Sequence, residues 1–303
     1  MDDIDSSLFL KKLSSNDVDD NFQGLLTLLE LFDSEDSTLN KLPFSQIYNS
    51  LVLILCKQQN EDILNNTTLC IVKSDRFIQA NANSQIVQNP TQILQSIFNH
   101  LANPSFKKIT KIHILNALFH IILHCQNQST IFDFSKFPLL DTVKQYFDNF
   151  DKQIEISFIR MLNSLWSFYG QFKHLYEYRD SLFNSIKCLD FLFYLKSKKG
   201  LSIITTQLIN QLIINIMFAY NLFTENENCL LLLIEQSQSA EKAEITNFIQ
   251  LLNTYLSSFE KVKKNIISGQ QKLDLSELIK PSQTAQFIEI ILKKINQLCF
   301  FIR

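Results

Sequence analysis

An all-α fold built from repeated helical hairpins is what this sequence predicts, on three observations. Apolar residues recur at helical spacing in nearly every segment, and β-type alternation is scarce. The five prolines, Pro43, Pro90, Pro104, Pro138 and Pro281, fall where helices should start or stop, as expected of a residue without an N–H. Third, a short pattern of apolar residue, Asn, any residue and large apolar residue returns along the chain. It occurs as "YNSL" at Asn49, "LNAL" at Asn116, "LNSL" at Asn163, "INQL" at Asn210, "LNTY" at Asn253 and "INQL" at Asn296, with spacings of 67, 47, 47, 43 and 43 residues.

The chain opens acidic. Residues 1–36 hold ten acids against Lys11 and Lys12, and residues 1–7 read as a flexible N-terminus. A proline-led helix carrying Gln46 and Asn49 follows. Residues 58–90, rich in Asn and Gln, are the least periodic part and read as an inserted loop with at most one short helix, "TTLCIVKSDRFIQ". That insertion accounts for the longer first spacing. From there, helices such as "TQILQSIFNHL" and "PLLDTVKQYF" each precede an Asn-bearing helix. One unit is then a helical hairpin of 43–47 residues, and the chain reads as a single repeat domain over 1–303.

The helix "KIHILNALFHIILHC" shows what the pattern means physically. At about 100° per residue, His113, Asn116, His120 and His124 share one narrow arc, while aliphatic and aromatic residues cover the rest of the girth. Such a helix is buried on three sides and wet along one stripe, the reverse of an ordinary surface helix. Later copies keep the stripe with Arg160, Asn163 and Ser167, with Gln207, Asn210 and Gln211, and with Gln250 and Asn253. Two readings stand for the asparagines. Either they line a concave binding groove, or they bond neighbouring loops and repeats, since buried polar groups must be satisfied.

Residues 138–168, "PLLDTVKQYFDNFDKQIEISFIRMLNSLWSF", resemble an armadillo repeat: a proline-led helix, a short acidic turn, then a helix with "MLNSL" where the family has its leucine–asparagine signature. The resemblance implies a right-handed α-solenoid of about six armadillo/HEAT-like helical repeats. It also departs from the family. Aligning Leu162 and Leu165 with the family's two leucines puts Arg160 where peptide-binding members carry a groove Trp, and Ser164 where they carry a groove Asn. The equivalents elsewhere are Gln46 and Ser50, His113 and Ala117, Gln207 and Gln211, Gln250 and Thr254, and Lys293 and Gln297, so no copy has the Trp/Asn pair. The resemblance therefore implies the scaffold without that family's peptide clamp.

Composition narrows the function classes. Four glycines in 303 residues cannot assemble a GxGxxG or Walker-type phosphate loop, so no nucleotide cofactor is expected. The six cysteines show no CxxC spacing and sit mostly in apolar runs, as buried thiols of a reducing compartment do. The acidic start matches neither a secretory signal nor a transit peptide, which points to the cytoplasm or nucleus. Residues 201–224 are uncharged and long enough to span a bilayer, but Thr205, Thr206, Gln207, Asn210, Gln211, Asn215 and Asn221 among them argue against a membrane span. His120, His124 and Cys125 invite a zinc reading, yet Cys125 points about 100° from His124, and no metal is expected. Asp151 and Glu155 form the best carboxylate pair, but they stand where a helix should begin and its dipole favours acids. "SFYG" lacks the glycines and preceding strand of a nucleophile elbow.

The expectation is a non-catalytic helical-repeat scaffold or adaptor subunit in a multiprotein complex, with no small-molecule substrate. A mean hydropathy of +0.02 is high for a soluble chain and points to either an unusually extended core or a surface covered by a partner. The alternative is a helical-repeat RNA-binding protein reading bases with the same stripe. A net charge of −2 and few aromatics in the stripe weigh against it, although the tail from Lys261 to Arg303 is basic.

Overall fold

The computed structural model describes residues 6–15, 17–34, 42–78, 89–126, 130–184, 186–198 and 201–220. Among them the chain is all-helical, with eleven α-helices and no strand. It divides into two compact units, Met1–Leu182 and Phe183–Arg303.

The first unit is a series of helical hairpins. Helices α1 (Ser6–Leu13) and α2 (Val18–Ser34) form the first. They approach closely at Gly24, where an added Cβ would lie 3.1 Å from Leu13 Cδ2. Asp17 caps α2, its carboxylate accepting from the Asp19 amide at 2.7 Å. The turn between the two helices is held by Asn21, a buried residue whose amide donates to the carbonyls of Lys12, Leu13 and Ser15 at 3.1, 3.3 and 2.9 Å. Its side-chain oxygen accepts from Gln58 at 3.3 Å, the residue that ends α3 (Phe44–Lys57).

The stretch expected as a loop is helical over α4 (Glu61–Ile78), and residues 79–88 lie outside the described residues. Asn60 starts α4 by accepting from the Asp62 and Ile63 amides at 2.9 and 3.3 Å, and Glu61 and Asp62 occupy the dipole-favoured first turn. Asn89 caps α5 (Pro90–Ala102), which has proline in its first turn. The helix "KIHILNALFHIILHC" lies within α6 (Lys108–Gln126). Pro138 leads α7 (Leu139–Tyr146), a 3-10 turn follows at Phe147–Asn149, and Asp151 caps α8 (Lys152–Gly170) by accepting from Gln153 and Ile154 at 2.8 and 2.9 Å.

These helices stack in two rows. Helix α4 packs between α2 and α6, and α8 packs on the far side of α6, so α2, α4, α6 and α8 follow one another as one row. The other row runs α1, α3, α5. Between the rows lies a core of Leu, Ile and Phe side chains. At the α6–α8 end it is aromatic: Phe119 meets Phe150 and Phe158 at ring-centroid distances of 6.0 and 5.1 Å, and Phe147 meets Phe158 at 6.1 Å. Buried Tyr169 donates its hydroxyl to the Phe132 carbonyl at 2.6 Å, pinning the 130–137 connector to α8. Helix α9 (Tyr176–Phe183) is tied to α8 by Arg179, whose guanidinium lies 5.3 Å over Trp166 and 4.1 Å over Tyr176.

In the second unit α10 (Ile186–Ser197) packs against α11 (Ile203–Tyr220), whose start is capped by Ser202 accepting from the Thr205 amide at 3.0 Å. Among the described residues no helix is long and apolar enough to cross a membrane.

Candidate functional surface

The polar stripe can be followed helix by helix. On α6, His113, Asn116 and His120 are each half-buried along one side, in line with the exposed Ile109. On α8, Arg160 and Ser167 are exposed and Asn163 is half-buried between them. The structure therefore brings these two parts of the predicted stripe side by side on neighbouring helices of one row.

Gln46 and Asn49 stand elsewhere. They lie on α3, exposed and half-buried respectively, in the row of α1 and α5. Because α4 is a helix and not an insertion, it takes the place in the α6 row that the sequence reading gave to α3. The copy that belongs there is "LNNT" at Asn65 and Asn66, both half-buried, 51 residues before Asn116 at Asn65. An apolar–Asn pair inside the supposed loop was the available signal. Leu69, 44% exposed on the same side of α4, completes that part of the surface.

Gln207 and Gln211 are exposed on α11 of the second unit, with the Gln211 amide donating to Asn215 at 3.0 Å, while Asn210 is buried. Gln250, Asn253 and the Asn296 copy lie outside the described residues.

The contacts of the stripe separate its members. His113 Nδ1 is 3.1 Å from the Asn65 side-chain oxygen on α4. His120 Nε2 is 3.2 Å from the Ser157 hydroxyl on α8. The two histidines thus join α6 to its neighbours on both sides. Burial holds the His113 imidazole below its ordinary pKa, an effect partly offset by the Asp151 carboxylate at the start of α8. Asn163 donates to the Ile159 carbonyl one turn back at 3.0 Å, a bond within its own helix. The side-chain oxygens of Asn116 and Asn210 are shut off from solvent without a hydrogen-bond partner. The recurring asparagine therefore marks the border between packed and open sides of a helix, and the residues beside it, Arg160 and Ser167 above all, are what the surface presents.

The row is electrically graded. Helix α2 shows exposed Asp19, Glu30 and Asp33, of which Asp33 pairs with Lys73 of α4, while α8 shows Arg160. His124, the last member of the α6 arc, turns inward and meets the Tyr48 ring of α3 at 5.1 Å. Cys125 is buried, with its thiol pushed up to about 12 by desolvation, so it diverges from the half-buried His120 and stays protonated. Compared with known proteins, the chain matches no family model, no curated sequence and no solved structure.

Proposed function

We propose that this chain is an armadillo/HEAT-like α-solenoid acting as a non-catalytic scaffold or adaptor, and that it holds a protein partner along the open side of the α4–α6–α8 row. The observation that carries this reading is the alignment of partly exposed side chains on consecutive helices of one row. Leu69, Ile109, His113, His120, Arg160 and Ser167 mix apolar, imidazole, guanidinium and hydroxyl groups over adjacent turns. Apolar anchors among hydrogen-bonding groups are the usual makings of a protein contact. A stripe without a regular base-stacking aromatic gives less support to RNA.

The test is a tagged full chain captured from its native source, wild type against Arg160→Glu/Asn163→Ala. Arg160 is exposed and half-buried Asn163 bonds the Ile159 carbonyl of its own helix, so the double variant should keep its helical circular dichroism and change stability by no more than about 1 kcal/mol. A stoichiometric protein that co-purifies through salt and nuclease with the wild type, and is lost with the variant, supports the surface. Retention of that partner by the folded variant would move the contact elsewhere. Salt- and nuclease-sensitive capture would replace it with RNA.

A further inference from the structure

Four of the chain's five histidines, His100, His113, His120 and His124, belong to the α5/α6 hairpin, and each reaches a helix of an adjacent hairpin. Three of them face α3/α4. His100 Nε2 lies 2.8 Å from the Leu55 carbonyl of α3. A carbonyl only accepts, so Nε2 carries the hydrogen and Nδ1 is the atom that would take a proton. His100 is 2% exposed, and its ring otherwise meets Phe106 at 5.8 Å. At the same α3–α5 contact, Cys56 bonds Ser96, and burial pushes its thiol up to about 11, which leaves it neutral; exposed Lys57 follows it at the end of α3. His124 is 5% exposed against Tyr48. His113 donates to Asn65 of α4, whose amide oxygen can only accept, and Asp151 of α8 is the carboxylate acting on it. The fourth, His120, meets Ser157 of α8.

We propose that the contact between hairpins α3/α4 and α5/α6 is an acid-sensitive joint, which loosens when the imidazoles packed into it take up protons. The cost is burial of charge. A proton on His100 would place an imidazolium in a nearly dry contact whose neighbours are a carbonyl already engaged and a phenyl ring. At His113 the Asp151 carboxylate compensates in part, so His100 is the stronger element of the pair.

The sign follows from linkage. Burial lowers the folded-state pKa of both His100 and His113 below the ordinary imidazole value of about 6.5. The opened contact then binds protons more tightly than the closed one. Its stability is complete above the ordinary value and is lost as pH falls from there toward the folded-state values. Each proton taken up on opening makes opening up to about tenfold more frequent per pH unit within that window.

Hydrogen exchange of the full chain at pH 7.5 and 5.5, corrected for the intrinsic rate, tests this. Protection of α3, α5 and the first half of α6 should fall roughly tenfold more than protection of α1 and α2. An equal fall in all hairpins, or none, overturns the joint. His100→Gln/His113→Gln should abolish the difference between hairpins, and His174→Gln, an exposed site on the α8–α9 connector, should leave it as in wild type. A wild-type pH response in the double variant also overturns it. If that variant does not fold, imidazole titration in the wild type decides. Midpoints for His100 and His113 below that of the urea-unfolded chain support the joint, and equal midpoints refute it.

Discussion

Two asparagines of the first unit show how far the same side chain can differ in consequence. Asn21 shares its amide hydrogens among three carbonyls of the α1–α2 turn and accepts from Gln58. Removing it leaves those groups unmatched in a buried place, so Asn21→Ala should cost about 2–3 kcal/mol in denaturant unfolding. Asn116 has a solvent-shielded oxygen with no partner, a state that already costs stability. Asn116→Ala should therefore leave the unfolding midpoint unchanged or raise it, and a loss comparable to that of Asn21→Ala would show that Asn116 makes a necessary bond. At this scale the sequence was a partial guide. The narrow arc of His113, Asn116 and His120 could be read from helical geometry, and all three are half-buried along one side of α6. Which asparagine bonds what could not, because Asn21 meets carbonyls supplied by a turn whose path only the folded hairpin sets.

At the scale of the element, α4 and α8 make the instructive contrast. Helix α8 was legible from its start, where Asp151 and Glu155 stand as acids that the helix dipole favours, and from the apolar residues on three of its sides. Helix α4 was not, because Asn65, Asn66, Thr67 and Thr68 are weak helix formers that compete for backbone bonds. Packing overrides that preference, since α4 is clasped by α2, α3 and α6 and buries Thr67 and Thr68 with their hydroxyls bonded back to Ile63 and Asn65. The start signal of Asn60 followed by two acids was present and was outweighed by the polar run. The α6–α8 contact is carried by aromatic side chains, so Phe158→Ala, which empties the space between Phe119 and Phe147, should cost about 3–5 kcal/mol in thermal or denaturant unfolding. A change below about 1 kcal/mol would mean the cluster closes over the gap.

For the whole molecule, the division at Leu182 has a direct test. Among its described residues, 1–182 hold three hairpins, α1/α2, α3/α4 and α5/α6, followed by α7 and α8 packed on α6, with their own core and caps. Expressed alone, this unit should give a helical spectrum and a cooperative melt; a fragment that stays unfolded would make the remaining residues part of its core. The all-helical class of the described residues was legible because it rests on local periodicity. The boundary at Leu182 carries no mark in the sequence, where the Asn-bearing pattern continues through Asn210.

The two-row stacking also governs how the first unit reaches its fold. Its helices touch either their hairpin partner or the adjoining hairpin. Among its described residues no strand has to find a distant mate, so each contact closes only a modest loop of chain. Assembly can begin at any adjoining pair and spread outward from it, as it does wherever neighbours supply most of the stabilisation. The search is short even though the chain is long, and an emerging polypeptide can complete its first hairpins before its last residues have been made.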